Sequence, residues 1–180
     1  MLIAAKYRPY YTYDDYCLWE GKWELIEGMP YAMCPAPVPR HQIVGGNLYM
    51  LFKVALKNNN CNNCKAYPPI DWKVSNDTIV QPDLLIVCDK INKKYLDFTP
   101  VLVVEILSPA TASKDRGEKM ELYASQKVKY YLIVDVQFKK VEIHQYINEQ
   151  YVLVSENADN YTFVLENNCT AEISLLDIWE

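Results

Sequence analysis

The chain has 180 residues, of which 51% are hydrophobic and 23% charged, a composition that excludes a disordered segment and indicates a globular protein. We expect one domain, residues 1–180, because this length supports a single full-sized core. The net charge of −5 argues against non-specific nucleic-acid binding through bulk charge, although a local basic groove is compatible with it.

The first predicted elements are a β-hairpin and a helix. The segment KWELIEGMPYAM alternates in places and carries Glu27–Gly28, which is typical of two strands joined by a tight turn. The proline-rich connector CPAPVPR cannot form a helix interior or a central strand. After it, HQIVGGNLYMLFKVALK has apolar residues at helical spacing, which predicts an amphipathic helix.

The middle of the chain contains two apolar stretches that read as buried strands. A polar loop, NNNCNNCKAYPP, leads to a strand ending in IDWKV and a turn at SNDT. The two buried strands follow as VQPDLLIVCD and VLVVEILSPAT, joined by the lysine-rich loop DKINKKYLDFTP. Strands of this kind form the interior of a sheet.

The last third predicts a helix, a strand and a second hairpin. SPATASKDRGEKMELYASQKV supplies a loop and then a helix, KYYLIVDV a buried strand, and KKVEIHQYINEQYVLVSEN a hairpin around Asn148–Glu149. We expect AEISLLDIWE to form a short closing helix. The order predicts an α/β domain whose mixed β-sheet is flanked by helices, with extra N-terminal and C-terminal β-hairpins.

The start of the chain and the cysteines predict a cytoplasmic protein. The first residues lack the basic region, apolar core and cleavage site of a secretion signal, and no stretch approaches the roughly 20 apolar residues that span a bilayer. We therefore expect no membrane contact, and six cysteines that are reduced and behave as small buried hydrophobes. The pair Cys61–Cys64 has the spacing of half a zinc site or a redox motif, but its asparagine-rich loop favours an incidental pair.

Each of the two buried strands carries one acid. Asp83 stands at the start of the first strand, and Glu105 interrupts the second. An unpaired carboxylate in such a place is strongly unfavourable. Three compensations are open: a lysine or arginine from another element, a protonated acid in a hydrogen-bond network, or a bound cation. Neighbouring strands lie about 4.8 Å apart, so two acids at matching height could share one ion.

The sequence resembles a known family over most of its length. PDLLIVCD, VVEILSPAT, DRGEKMELY and VKYYLIVD, together with WELIEGMPYAM and PAPVPRHQIV, resemble the Uma family of restriction endonucleases, within the PD-(D/E)xK nuclease superfamily. The resemblance implies a restriction-endonuclease-like fold. It also implies two acidic metal ligands, here Asp83 and Glu105, and a lysine two residues beyond the second acid.

The chain departs from that motif in two places. Leu107 stands at the lysine position, and the resemblance suggests that the lysine has moved to the following helix as Lys119. The first helix, where the superfamily usually has a further acid, contains no Asp or Glu. Glu24 and Glu27 of the preceding hairpin are possible replacements, and further candidates for the cleft are His41, Gln42 and Asp115.

The implied chemistry is metal-assisted hydrolysis of phosphodiester bonds in DNA. Asp83, Glu105 and the backbone carbonyl of Ile106 would hold Mg²⁺ or Mn²⁺, and Lys119 would orient water or stabilise charge on the reacting phosphate. A homodimer is expected because cutting both strands requires two active centres related by a two-fold axis. The alternative is a catalytically weak or inactive nuclease-fold module that binds nucleic acid or a protein partner.

Overall fold

The computed structural model describes residues 8–33 and 38–180, so residues 34–37 of the proline-rich connector and the first seven residues lie outside the described chain. No helix in the described ranges is long and apolar enough to cross a membrane. The elements, in chain order, are α1 (Tyr13–Tyr16), β1 (Trp23–Ile26), β2 (Met29–Ala32), α2 (Pro39–Asn58), β3 (Lys65–Tyr67), β4 (Trp72–Lys73), β5 (Ile79–Val80), β6 (Leu84–Val87), β7 (Leu102–Leu107), α3 (Ala112–Arg116), α4 (Glu118–Ser125), β8 (Tyr130–Asp135), β9 (Lys140–Ile147), β10 (Gln150–Glu156), β11 (Asn160–Val164), β12 (Thr170–Ser174) and a 3-10 turn (Asp177–Trp179).

A six-stranded mixed sheet organises the molecule. Its strand order is β10-β9-β8-β7-β6-β3, and β7 and β8 are parallel whereas the other neighbours are antiparallel. The parallel pair needs a crossover connection, and α3 and α4 supply it. The predicted helix after Glu105 is therefore present, but Gly117 divides it into two short helices.

The two faces of the sheet form separate cores because side chains alternate along each strand. In β7, Leu102, Val104 and Ile106 face the core that contains α2 and the β11–β12 hairpin. Val103 and Leu107 face the opposite core. Each face is covered, which explains why the sequence of β7 is apolar almost throughout.

The N-terminal hairpin is confirmed. Strands β1 and β2 pair with Ile26 opposite Met29, and the two residues between them, Glu27 and Gly28, both have positive φ angles of 49° and 76°. Such a turn matches the twist of a hairpin. The hairpin joins β5 and β4 in a four-stranded sheet of order β2-β1-β5-β4, which carries Glu24 towards the larger sheet.

The predicted closing helix is wrong for most of its length. Residues 170–174 form β12, which pairs with β11, and the end of the segment forms a short 3-10 turn from Asp177 to Trp179. Ala171 and Ile173 are buried while Glu172 between them is exposed. This alternation is the pattern of a half-buried strand, and the missing partner strand, β11, was not predicted.

The expectation of reduced cysteines is also wrong for four of the six. Cys61 is bonded to Cys169, 108 residues away, and Cys64 is bonded to Cys88, 24 residues away. Cys17 is free but exposed rather than buried, and Cys34 lies outside the described residues. The CNNC segment thus forms neither a zinc half-site nor a redox pair. The bonding partners of Cys61 and Cys64 come close only in the folded chain, where the end of α2 meets β6 and the β11–β12 hairpin. Sequence spacing gives no sign of these pairs.

The disulfides predict a measurable loss of stability on reduction. Closing rings of these lengths constrains the unfolded chain by roughly 3–5 kcal/mol each. We expect dithiothreitol to lower the urea midpoint strongly, while Cys17→Ser leaves it unchanged. In unfolded but unreduced protein, iodoacetamide should modify at most two cysteines, and after reduction all six. Modification of all six before reduction would contradict the pairing.

Candidate functional site

The two strand acids, Asp83 and Glu105, lie side by side at one end of the neighbouring strands β6 and β7. The antiparallel register pairs Leu84 with Val104, so one further step along each strand places Asp83 opposite Glu105. Glu105 is 3% exposed and lies in the interior of β7. The register therefore places the two acids at matching height in neighbouring strands, which is the arrangement that sharing one ion would require.

Glu105 is compensated by groups from α4. Its Oε1 accepts hydrogen bonds from the Lys119 amine at 2.9 Å and from the Tyr123 hydroxyl at 2.6 Å. Lys119 is itself 3% exposed, and its Nζ also lies 2.7 Å from Oε1 of Glu24 and 3.6 Å from Oδ1 of Asp115. Of the three possible compensations, the structure thus provides a lysine from another element.

Glu24 is the acid that completes this site. It is fully buried in β1, and it forms ion pairs with Lys119 and with Lys114 of α3. Its Oε1 also accepts a hydrogen bond from the backbone N–H of Gln81 at 2.9 Å. Glu27, the other candidate in the hairpin, is exposed in the turn. We call Glu24, Glu105, Asp115, Lys114 and Lys119 the acid–lysine cluster.

Contacts outside the cluster hold α3 and α4 in place. The Tyr131 hydroxyl of β8 donates to the backbone carbonyl of Asp115 at 2.8 Å. Arg116 donates two hydrogen bonds to the carboxylate of Glu142 in β9, at 2.8 and 2.9 Å. This pair of hydrogen bonds fixes α3 on the sheet. Because α4 follows α3 directly in the chain, fixing α3 also places Lys119 in the cluster.

Asp83 lies at the same end of the strands with different partners. Its Oδ2 accepts a hydrogen bond from the backbone N–H of Ile106 at 2.8 Å. His41 Nε2 lies 3.3 Å from the same oxygen and 3.0 Å from the carbonyl oxygen of Ile106. Since both oxygens are acceptors, Nε2 carries the proton. His41, at the start of α2, is thus a site residue, whereas the neighbouring Gln42 is exposed.

Burial and mutual charge shift the pKa values in the cluster. Burial raises the pKa of Glu105 well above its usual range, and the Lys119 charge opposes this only in part. Burial also raises the pKa of Asp115. For Glu24, burial is outweighed by Lys119 and Lys114, which lower its pKa. For Lys119, the surrounding carboxylates outweigh burial and raise its pKa, so that the amine stays charged.

The acid–lysine cluster and Asp83 together contain more acids than cations. Four carboxyl groups and two lysine amines take part in the contacts around the site: Asp83, Glu24, Glu105, Asp115, Lys114 and Lys119. Burial lowers the pKa of His41, but its contact with Asp83 raises it above the ordinary value. Crowded carboxyl groups reduce their mutual repulsion either by holding a proton, as the raised pKa values of Glu105 and Asp115 indicate, or by binding a cation.

The donor atoms fit a hard divalent ion in part. Oδ2 of Asp83 and the carbonyl oxygen of Ile106 lie close to the same nitrogen of His41. Both are oxygen atoms, which are the ligands that Mg²⁺ and Mn²⁺ prefer. Buried Oδ1 of Asp115 accepts no hydrogen bond. Within the described ranges, no three His, Cys, Asp or Glu side chains converge as a ready-made metal site, so an ion here would also use the carbonyl and water.

Sequence reasoning missed two members of the site. Nothing in the sequence indicated that Tyr123 donates to Glu105 or that Lys114 pairs with Glu24. A signal for Glu24 did exist: it lies between Trp23 and Leu25 in a predicted strand, and β1 is buried on both faces over residues 24–26. An acid in that context has the same need for a partner as Glu105.

Comparisons with known proteins identify similar chains. The family model Uma2, described as "Putative restriction endonuclease", matches residues 12–176. "Uncharacterized protein slr1290" of Synechocystis sp. (strain PCC 6803) is 30% identical over 143 residues, which cover 76% of this chain and 74% of that protein. The match to the family model confirms the resemblance seen in the sequence.

A solved structure shares the fold. It is described as "a putative nuclease belonging to DUF820" from Anabaena variabilis ATCC 29413 and has a TM-score of 0.72 at 14% identity, covering 94% of this chain and 97% of that one. The mixed sheet with flanking helices is thus the predicted restriction-endonuclease-like fold.

Removal of the central cation should destabilise the protein. Lys119→Met leaves Glu105 and Glu24 with one fewer buried partner, and breaking a buried pair in this way costs about 3–5 kcal/mol. Urea unfolding should show this loss, whereas Lys94→Met, at an exposed position, should stay within about 0.5 kcal/mol of the wild type.

The same loss should depend on pH. A carboxyl group whose pKa is raised in the folded state favours folding below its unfolded pKa, and that contribution disappears as the pH rises through the folded value. The raised pKa of Glu105 therefore predicts a larger deficit for Lys119→Met at pH 8 than at pH 5. A deficit below about 1 kcal/mol at both pH values would show that the ion pairs are not stabilising.

Proposed function

The chain belongs to the Uma2 family, and we propose that it is an endonuclease that hydrolyses phosphodiester bonds of DNA with the help of Mg²⁺ or Mn²⁺. The observation that carries the proposal is the position of Lys119. Its charged amine is buried 2.9 Å from Glu105, at the end of the strands where Asp83 also lies.

The departure at Leu107 is compatible with this role. Leu107 is buried in the apolar core on the face of β7 that also carries Glu105, so a lysine there is replaced by one arriving from α4. Lysine suits such a relocation because its amine sits on a flexible four-carbon stem. Lys119 reaches the same carboxylate by a different backbone route.

The proposed metal ligands are Asp83, Glu105 and the carbonyl oxygen of Ile106. A bound Mg²⁺ or Mn²⁺ would polarise the scissile phosphate and lower the pKa of a bound water. Lys119 would donate a hydrogen bond to a phosphate oxygen and stabilise the negative charge that grows there during the reaction. It is preorganised for this because its amine is already desolvated and charged.

Two further residues position these groups. Glu24 contacts the Lys119 amine at 2.7 Å while Glu105 contacts it at 2.9 Å, and Glu24 would take the place of the acid that the first helix lacks. His41 donates towards both the Asp83 carboxylate and the Ile106 carbonyl oxygen, which keeps the two proposed ligands facing a common point.

A specific observation favours the alternative of a non-catalytic nuclease-fold module. Glu105 is already satisfied by Lys119 and Tyr123, so its burial does not require a metal ion. A module of this kind would bind nucleic acid or a protein partner through the same fold. Metal binding discriminates between the two functions because only the nuclease needs it.

The proposed nuclease would act on DNA as a homodimer. The β9–β10 hairpin is the edge of the large sheet, and Val152, Leu153 and Val154 of β10 are exposed there by 38%, 47% and 36%. An exposed apolar edge strand is a surface on which a second copy can pair, and two-fold pairing would supply the second active centre.

Metal-dependent cleavage should depend on Asp83. We expect Asp83→Ala to reduce the cleavage of plasmid and linear DNA in Mg²⁺ or Mn²⁺ by roughly 100-fold or more, with unchanged circular dichroism. Asp89→Ala changes an exposed acid whose hydrogen bond is local, and it should cleave like the wild type. An Asp83→Ala protein that cuts DNA at the wild-type rate would end the proposal.

Metal binding should also be visible without catalysis. At about 100 times its dissociation constant, an ion adds roughly 2.7 kcal/mol to the stability of the folded state, which corresponds to roughly 5–10 °C in a domain of this size. We expect millimolar Mn²⁺ to raise the melting temperature of the wild type but not of Glu105→Ala. If both proteins respond equally, or neither does, the non-catalytic module is the better description.

A further inference from the structure

A basic groove lies between α2 and the edge strand β3, away from the acid–lysine cluster. The cavity has a volume of about 530 Å³, and both disulfides contribute to its lining through Cys61 and Cys64. Residues from both walls face it: Tyr49, Lys53, Lys57, Lys65 and Tyr67. We call these five residues the lysine groove.

The charge of the lysine groove is opposite to that of the whole chain. Three lysines line it, and none of its lining residues is an Asp or a Glu, although the net charge of the protein is −5. Lys53, Lys57 and Lys65 are exposed, and none of them forms a salt bridge with any residue in the described ranges. Three free cations around a cavity attract a polyanion rather than stabilise the fold.

The two tyrosines add a second feature that fits the same ligand. Tyr49 and Tyr67 are half-buried, and the amine of Lys53 lies 5.6 Å from the centre of the Tyr49 ring. Phosphate contacts in nucleic-acid complexes come from lysine and arginine, and also from tyrosine hydroxyl groups. Lysine and tyrosine together thus give a surface that can follow a sugar–phosphate backbone.

A second cavity provides the contrast. It has a volume of about 550 Å³ and is lined by Glu27, Glu118 and Glu121 with Arg8 as a single cation. Its negative charge repels phosphate. Of the two cavities, the lysine groove alone has the sign that nucleic acid requires.

Both walls of the lysine groove lead back to the proposed active site. Helix α2 begins beside it, where His41 contacts Asp83 and Ile106, and Tyr67 of β3 pairs with Leu85, two residues after Asp83. Along α2, Lys53 and Lys57 lie roughly 18 and 24 Å from His41 at about 1.5 Å per residue. At about 3.4 Å per base pair, this span corresponds to roughly five to seven base pairs of DNA.

We propose that the lysine groove binds the phosphate backbone of duplex DNA about five to seven base pairs from the phosphate that the active site cleaves. The inference rests on the proposed function for the position of the cut, but the binding itself does not require catalysis. The groove gives an acidic protein a local route to DNA, and its contacts are to phosphate, so it carries no base preference.

The test is duplex binding in EDTA, where a metal-dependent enzyme cannot cut. Fluorescence anisotropy with a labelled 20-base-pair duplex, repeated from 50 to 200 mM salt, gives affinity and salt dependence. We expect K53Q/K57Q/K65Q to bind at least about tenfold more weakly at 100 mM salt, and to reduce the slope of log K against log salt by roughly two to three. The control K90Q/K94Q/K127Q has the same net charge, at exposed positions outside the groove, and should bind like the wild type.

The outcomes separate the groove from the active site. Unchanged binding by the groove variant, equal weakening by the control, or no duplex binding by the wild type overturns the groove. Wild-type binding to polyglutamate but not to duplex also overturns it, in favour of an acidic protein partner. If the groove variant binds weakly while Asp83→Ala still cuts normally, the groove stands and the proposed active site is wrong.

Discussion

The amine of Lys119 is buried in contact with the carboxylates of Glu105 and Glu24, and this contact joins three parts of the molecule by charge as well as by packing. Glu105 belongs to the large sheet, Glu24 to the N-terminal hairpin, and Lys119 to the crossover helix α4. Buried ions require partners because removing either leaves an uncompensated charge in a medium of low polarity. The docking of the hairpin and of α4 on the sheet therefore also sets the geometry of the site.

The charges that surround this contact come from three different elements. Leu107 completes the apolar core on its face of β7, and the amine beside Glu105 comes from Lys119 of α4. The second carboxylate on that amine comes from Glu24 of β1, and α2 itself contains no Asp or Glu. What the chemistry requires is a charge at a point in space, and a fold with several elements around that point offers more than one backbone route to it.

Helix α2 links the site to the rest of the protein. Its first turn brings His41 to Asp83 and the Ile106 carbonyl, and its far end carries two of the three lysines of the groove, Lys53 and Lys57. Beyond that end, two disulfides tie the chain to β6 and to the β11–β12 hairpin. Cross-links of this kind limit the movement of α2 against the sheet. The distance between the lysine groove and the proposed active site is therefore held by covalent bonds as well as by packing.

The sequence by itself determined the N-terminal hairpin, the central strands and the presence of one acid, Asp83 or Glu105, in each of two of them, because turn chemistry and alternation act over a few neighbouring residues. It also indicated Lys119 through its family resemblance. The tertiary structure alone decided that Glu24 rather than Glu27 joins Lys119, that β12 is a strand, and that Cys61 and Cys64 bond to Cys169 and Cys88. Those contacts join residues far apart in the chain, and a local pattern contains no information about which distant element will arrive beside it.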